Sequence, residues 1–242
     1  NQERKDIQKF VQDEAEYLIG REVNLEEDRV IVLASENFHS GVVGIVASWV
    51  VEKYFRPAVL IALENGVGKG SGRSIPHFNL YRAFTECASY LAQFGGHAYA
   101  AGLTINENNL DLFRNAINEV GRRILNDENL VPELFLDESI KISEIDATLH
   151  EQVTFLEPFG AENPSPVFLI QNISIYGLKR IGREESHVRF QAVQGGARID
   201  AVGFNLAEEF TSIDEKLNKI DLACEFQVND WGGRNKLELK VL

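Results

Sequence analysis

The stretch AVLIALENGVGKGSGRS, residues 58–74, joins an unbroken apolar run to a run in which glycine alternates with other residues. Residues 58–63 form a short apolar segment of the kind that makes a buried strand. In the second run, single glycines separate Lys69, Ser71 and Arg73, so these side chains share one face if the chain is extended. An ammonium, a hydroxyl and a guanidinium beside bare backbone suit a phosphate group. The alternative interpretation of this run is a flexible, solvated loop.

Strands and helices alternate on both sides of this stretch. Residues 30–34 are a second short apolar run that predicts a buried strand. Residues 42–50 and 80–91 carry apolar side chains at helical spacing, and so do residues 110–124. Residues 103–105 predict one more strand. Such alternation predicts an α/β domain, a sheet covered by helices.

A second glycine-rich run, GGHAYAAG at residues 95–102, follows the helix predicted at 80–91. Paired glycines let a ligand approach the backbone, and successive free N–H groups can form a nest for an anion. Here His97 either donates to phosphate oxygens or packs internally. His39, before the helix at 42–50, either helps that helix's N-terminus bind an anion or caps it. The two runs together predict a phosphate pocket, and so a nucleotide or nucleic-acid substrate.

The sequence changes character from about residue 130, where β-like runs replace the alternation. Turn signals lie at residues 195–196 and 231–235, and a short helix is predicted at 206–217. Five strands with a helix after the third match an all-β five-stranded Greek-key barrel of the OB type. The predicted fold is therefore an α/β domain followed by an OB-type barrel. The five runs are residues 167–176, 187–194, 197–204, 222–228 and 236–242.

Basic residues cluster around the first two hairpins of the predicted barrel. OB barrels bind single strands through basic grooves and stacking aromatic rings. The basic candidates for nucleic-acid binding are Lys179, Arg180, Arg183 and Arg189. The aromatic candidates, each of which could equally belong to the core, are Tyr176, Phe190, Phe204 and Trp231.

Composition narrows the class of protein. The net charge of −13 argues against a firm grip on duplex DNA, although basic residues outnumber acidic ones between residues 53 and 102. No apolar stretch reaches the roughly 18 residues of a membrane helix, so no membrane partner is expected. Two distant cysteines predict buried free thiols in a reducing compartment, the cytoplasm. The histidines and cysteines form no metal-ligand pattern. The absence of methionine suggests a piece of a longer protein.

The ordered motifs of this chain resemble those of the RecJ single-strand-specific exonucleases, members of the DHH phosphoesterase superfamily. The Gly-Gly-His element alone is widespread in that superfamily, whereas the ordered set followed by an OB barrel is much more specific. The departures are Phe38, Trp49 and Glu162, where the family often has tryptophan, arginine and glycine. The motifs are HSGVVGIVAS at 39–48, RPA at 56–58, GSGRS at 70–74, FGGHAYAAG at 94–102, PFGAENP at 158–164 and GFN at 203–205.

The resemblance implies a DHH-associated substrate-binding domain at residues 25–128 and an OB domain at 150–242, joined by a linker at 129–149. Residues 1–24 are interpreted as a connector helix, with packing on the chain's own core as the alternative. The family's Mn²⁺ or Mg²⁺ would be bound by an upstream DHH domain that this chain lacks, and no metal is expected here.

The resemblance further implies the substrate-holding part of a 5′–3′ single-stranded-DNA exonuclease of DNA repair and recombination, inactive without the metal domain. By the motif match, Ser71 and Arg73 would grip the terminal 5′-phosphate. Gly95, Gly96 and His97 would contact the phosphate near the scissile bond, where His97, as the catalytic residue, would stabilise developing negative charge. The remaining candidate substrate-binding residues are His39, Lys69, Gly72, Ser74, Ala101 and Gly102.

Two other functions stay open from the sequence. One is a small-nucleotide phosphodiesterase acting on cyclic dinucleotides or short RNA, whose relatives share the glycine–histidine element but usually lack the barrel. The other is a non-enzymatic scaffold for replication or repair proteins, carried by the acidic stretch at 127–157.

Overall fold

The computed structural model describes residues 2–160, 162–214, 219–229 and 236–242. The chain divides into two units, Asn1–Glu133 and Leu134–Leu242. Within the described ranges, no helix is long and apolar enough to cross a membrane.

Unit 1 is a mixed sheet with helices, which confirms the predicted α/β domain. Its strands lie in the order β1-β2-β3-β5-β4, with β1 and β2 parallel and the other neighbours antiparallel. The elements are α1 (Gln2–Glu22), β1 (Ile31–Ser35), α2 (Val43–Tyr54), β2 (Ala58–Glu64), β3 (Val67–Arg73), α3 (Leu80–Glu86), β4 (Leu91–Gly96), β5 (Ala100–Asn106) and α4 (Leu110–Ile124).

The two faces of this sheet are covered unequally. Helices α3 and α4 pack Phe84 and Phe113 beneath the central strands and build one hydrophobic cluster. Helices α1 and α2 build the second cluster on the opposite face, over β1 and β2. Val11 and Leu18 of α1 are buried there, so the first helix packs on the chain's own core. The same face of β5 and β4 stays open to solvent.

The glycine run at 66–74 forms the central strand β3 rather than a loop. Its core-facing glycines make room for neighbouring side chains. A Cβ at Gly68 would lie 2.5 Å from Cγ2 of Ile61, and one at Gly72 would lie 2.6 Å from a methyl group of Leu80. A tight turn joins β2 to β3 through Asn65 and Gly66, whose φ angles of 52° and 76° suit a type I′ hairpin.

Unit 2 contains a closed five-stranded barrel, which confirms the predicted OB-type architecture. Its strands follow the cycle β7-β8-β9-β11-β10 and close through β10 and β7, with β9 and β11 parallel. The elements are β6 (Glu138–Ser139), α5 (Ala147–Thr154), β7 (Phe168–Ile181), β8 (His187–Gln194), β9 (Ala197–Gly203), β10 (Ile220–Asn229) and β11 (Lys236–Val241).

Two details of unit 2 differ from the sequence-based expectation. Residues 207–212 form turns where the helix was predicted, and buried Ala207 and Phe210 attach this segment to the barrel core. The second unit starts at Leu134, well before residue 150, since β6 pairs with β7. The remainder of the predicted helix, the turn at 231–235 and Trp231 lie outside the described residues.

Candidate functional site

The open face of β3, β5 and β4 brings together most of the predicted phosphate-binding residues. In the strand register, Ser71 lies beside Gly102 and Gly102 lies beside Gly95, so all three share one face. Lys69 and Arg73 flank this row on β3, as the alternation in the sequence predicts. We call this surface the glycine platform, and it consists of Lys69, Ser71, Arg73, Gln93, Gly95, Gly102 and Thr104.

Gly95 and Gly102 leave the centre of the platform without side chains, although packing does not require glycine at either position. A Cβ at Gly95 would meet nothing within 4 Å, and one at Gly102 would meet only the Gly70 carbonyl oxygen at 3.7 Å. Glycine inside a strand costs about 0.5–1 kcal/mol of stability relative to alanine. Such positions mark places where a ligand or another backbone approaches closely.

Gly96 has a different role, because it shapes the turn between β4 and β5. Its φ is +140°, and a Cβ there would lie 2.5 Å from the carbonyl oxygen of Ala100. Since β4 remains a strand through this residue, successive N–H groups point in alternate directions. At Gly95 and Gly96 the structure shows an exposed strand edge, and anion binding by the glycine run at 95–102 stays a prediction.

The hairpin that follows presents His97 at the border of the platform. The His97 N–H donates to the Ala100 carbonyl at 2.8 Å, and the Ser74 N–H donates to the Tyr99 carbonyl at 3.0 Å. The Leu80 N–H binds the Ala98 carbonyl at 2.8 Å. These bonds fix the backbone of the hairpin, while the His97 side chain stays exposed and can contact a ligand.

Arg73 and Ser71 form a preorganised pair beneath the first turn of α2. Arg73 Nη1 donates to Ser71 Oγ at 3.0 Å and to the Gly72 carbonyl at 2.8 Å. A Cβ at Gly44 would come within 3.1 Å of both side chains, so glycine there lets the helix sit against them. The first turn of α2 has neither a capping side chain nor an acidic residue. Its positive end thus adds to the local potential.

The platform cations are free of carboxylate partners. Within the described part of the chain, neither Lys69 nor Arg73 forms an ion pair. A neighbouring pocket of about 430 Å³ is lined by Lys69 and His39, among others. The Gly41 N–H donates to His39 Nδ1 at 3.0 Å, so the neutral ring carries its hydrogen on Nε2. His39 therefore caps the turn before α2 and still offers one donor to the pocket.

Besides Gly96, which pairs with Ala101, three predicted residues do not reach this surface. Gly72 and the buried Ala101 point towards α3 on the opposite face of the sheet. The Ser74 hydroxyl donates to the Phe78 carbonyl at 2.7 Å and so fixes the following loop. Gln93 and Thr104, which sequence reasoning missed, take places on the platform instead. The β3–β5 register places Thr104 beside Lys69, and the β4–β5 register, with its irregularity between Leu91 and Gln93, places Gln93 beside Thr104.

Two of the four predicted basic residues of the barrel, Arg180 and Arg189, bind other groups of the protein. Arg180 Nη2 donates to the Ala207 carbonyl at 3.2 Å and to Thr211 Oγ1 at 2.7 Å. Arg189 Nη2 binds Glu238 Oε2 at 2.8 Å. Neither guanidinium is a simple unpaired phosphate ligand.

Two further ion pairs lie on the barrel strands. Lys236 Nζ binds Asp200 at 2.6 Å, and Lys240 Nζ binds Glu225 at 2.9 Å. Burial alone would raise the pKa of Asp200, but hydrogen bonds from Lys236 and Gln191 outweigh it and hold that pKa below its usual value. This part of the barrel is charge-balanced.

Lys179 and Arg183 remain exposed on the barrel. Lys179 and Tyr176 line a shallow groove of about 480 Å³. Tyr176 and Phe204 expose about half of their surface or more and can stack on a base, whereas Phe190 is 3% exposed and belongs to the core.

No group of three or more potential ligands among histidine, cysteine, aspartate and glutamate could hold a metal ion within the described ranges.

Family models match both units of the chain. A DHHA1 domain model matches residues 27–122, and a RecJ OB domain model matches residues 136–242.

Curated relatives and a solved structure are similar over the whole chain. The single-stranded-DNA-specific exonuclease RecJ of Bacillus subtilis is 32% identical over 243 aligned positions, and that of Escherichia coli is 29% identical over 251. The chain is fully covered in both, yet it spans only 30% and 43% of their lengths. The crystal structure of Thermus thermophilus RecJ in complex with Mn²⁺ matches all of this chain with 25% identity and a TM-score of 0.77, over 34% of its own length.

Proposed function

The chain is a DHHA1–OB region homologous to the RecJ exonucleases, and on that premise we propose that it is the substrate-holding part of a 5′–3′ single-strand-specific DNA exonuclease. The observation that carries this proposal is the bare surface at Gly95 and Gly102, bordered by Lys69 and Arg73, which form no ion pair with any described residue. A strand that is bare without an internal reason, beside two free positive charges, suits a phosphate backbone.

On the platform, Arg73 and Ser71 bind the terminal 5′-phosphate. The guanidinium supplies a planar fork, and its contact to Ser71 Oγ leaves the serine hydrogen free to donate to a phosphate oxygen. Lys69 adds a point charge further along β3. His97, at the border of the platform, donates to the phosphate nearest the scissile bond and stabilises its developing charge.

The hydrolytic step belongs to the full-length protein. A DHH domain outside this chain would bind Mn²⁺ or Mg²⁺, and the bound metal would supply the activated water. The residues described here bind and orient the strand. We therefore expect this chain alone to bind single-stranded DNA weakly and to cleave nothing.

The barrel binds the strand mainly by stacking. Tyr176 and Phe204 offer exposed rings, and Lys179 and Arg183 supply the remaining positive charge. We assign the full-length enzyme to DNA repair and recombination in the cytoplasm, where both buried free thiols persist.

The test is fluorescence-anisotropy binding of the chain at low salt to an oligonucleotide of roughly 20 nucleotides, longer than one OB-fold site. Four probes are compared: the 5′-phosphorylated single strand, the same strand with a 5′-hydroxyl, its duplex and a dinucleotide. We expect the phosphorylated single strand to bind best. Arg73→Ala should weaken it at least about tenfold, as loss of a charge-assisted contact implies.

The matched control is Arg122→Ala, which removes the same charge from the exposed side of α4. It should leave binding unchanged. Equal binding of both 5′-ends, or equal weakening by both substitutions, would contradict end recognition. Preference for the dinucleotide would instead favour a small-nucleotide phosphodiesterase.

A further inference from the structure

A buried carboxylate lies on the outer side of the barrel. Glu238 belongs to β11, where the next residue, Leu239, points into the core opposite Ala201. Successive strand residues alternate in direction, so Glu238 faces outward. It is nevertheless only 3% exposed. Polar side chains of other barrel strands contact it on this outer side.

Three donors converge on this carboxylate. Gln227 Nε2 donates to Glu238 Oε1 at 2.8 Å, and Asn229 Nδ2 donates to Oε2 at 3.0 Å. Arg189 Nη2 also donates to Oε2, at 2.8 Å. A buried charge persists only when it is paired and hydrogen-bonded in this way. The two amides come from the adjacent strand β10, and Arg189 comes from β8.

Arg189 itself is accessible. Its side chain is 43% exposed and lines the groove that also contains Tyr176 and Lys179. A nucleic-acid phosphate that enters this groove meets a guanidinium already committed to a carboxylate. The phosphate must compete with Glu238 for Arg189 and also experiences the repulsion of a second negative charge.

We propose that Glu238 is a positioning residue that limits the strength with which the barrel holds single-stranded DNA, by retaining Arg189. This inference rests on the proposed function. A moderate affinity suits an enzyme whose substrate must advance after every cleavage, because a tightly bound strand would not move.

The test is Glu238→Gln in the 242-residue chain, with the same single-stranded probe. Glutamine keeps the size of the side chain and can exchange hydrogen bonds with Gln227 and Asn229. Arg189 loses its ion pair with Glu238 and keeps only its longer-range attraction to Asp200. We expect affinity to rise several-fold. The plot of log affinity against log salt should steepen by about 0.7, as one additional phosphate contact on a single strand requires.

Arg189→Ala separates this role from a merely structural one. Alone, it should change affinity less than twofold, and combined with Glu238→Gln it should abolish the gain. Unchanged or weaker binding by folded Glu238→Gln protein would overturn the inference. If that variant does not fold, a large loss of affinity in Arg189→Ala would overturn it, and no loss would support it.

The two proposals fail separately. If the unaltered chain binds no single-stranded DNA, the proposed function fails and the inference falls with it. If the unaltered chain binds in an Arg73-dependent manner while Glu238→Gln gives no gain, only the inference is overturned.

Discussion

The glycine platform and the outer strands of the barrel treat positive charge in opposite ways. On the platform, Lys69 and Arg73 have no carboxylate partner within the described ranges. On the barrel strands, Arg189 is bound by Glu238, and two lysines are bound by carboxylates in the same manner. A count of basic residues therefore does not locate a phosphate site. The partners of those residues decide where the positive potential remains available.

The difference follows from how the two surfaces are built. Gly95 and Gly102, the facing glycines of β4 and β5, leave few side chains that could neutralise Lys69 or Arg73. The barrel strands instead carry outward polar side chains of both signs, and opposite charges pair across neighbouring strands. Gln227 and Glu238, direct register partners on β10 and β11, illustrate this density.

The largest expected effect comes from adding a side chain to the platform. Gly102→Val should weaken single-stranded DNA binding at least about tenfold, equivalent to roughly 1.4 kcal/mol. The free energy of unfolding should change by less than about 1 kcal/mol, because valine favours strands and its side chain meets open space. Anisotropy and urea denaturation measure the two quantities.

Gly96→Ala is the contrasting variant, since its Cβ would collide with backbone at a positive φ. It should lower the free energy of unfolding by about 2 kcal/mol or more. If Gly102→Val unfolds the protein as readily, the distinction between a bare site and a structural glycine is lost.

A smaller effect should separate an unpaired lysine from a paired one. Lys69→Ala should weaken binding about two- to fivefold and reduce the salt slope by about 0.7, because one phosphate contact disappears. Lys240→Ala, which removes a lysine bound to Glu225, should alter neither quantity. Binding titrations of both variants over a series of salt concentrations measure the affinity and the salt slope. Equal salt slopes for the two variants would contradict the proposed difference between the two surfaces.

Acidification should lower the stability of the ion-paired barrel, because Asp200 loses its charge. Its pKa lies below the ordinary value of 3.8, so its stabilising contribution is present above that value and is lost as pH falls through the lower folded pKa. Asp200→Asn should therefore cost less than about 1 kcal/mol near neutral pH. The difference from the unaltered chain should shrink below about pH 4, as chemical denaturation over a pH series will show. A constant difference would contradict the ionic contribution.

The smallest effect concerns the buried thiols, one in each unit. Burial, with Glu86 and Glu119 nearby, raises the pKa of Cys87 to about 11, and burial beside Glu225 raises that of Cys224 to about 12. Both thiols stay protonated and unreactive towards a disulfide reagent at pH 8, and both react after unfolding. Since unfolded thiols ionise near 9, the free energy of unfolding should fall as pH rises from about 9. Rapid labelling of the native chain would contradict this.

The sequence alone was sufficient to predict the order of the two folds and to predict that Lys69, Ser71 and Arg73 share one face. Apolar runs, helical spacing and strict alternation are local signals, and packing did not override them. That β3 is a strand was not evident, because glycine is depleted in strands. Its glycines make sense only once Ile61 and Leu80 fill the space beneath them.

Contacts between distant segments explain the remaining differences. Arg189 and Glu238 are 49 residues apart and meet only because the barrel places their strands, β8 and β11, on either side of β9. Sequence reasoning therefore counted Arg189 as a free cation. Ala101 similarly follows the exposed hairpin in sequence, but the β5 register turns it into the core.

The tight turn at Asn65 and Gly66 has a consequence for the order of folding. It joins β2 to β3 directly, so this hairpin can form within microseconds from neighbouring residues. Closure of the barrel must instead bring Cys224 beside Phe168, 56 residues away, and pay a larger loop-closure entropy. The strand that carries Lys69, Ser71 and Arg73 is thus laid out in a local hairpin, early in folding, while the barrel closes only when its last distant strands have met.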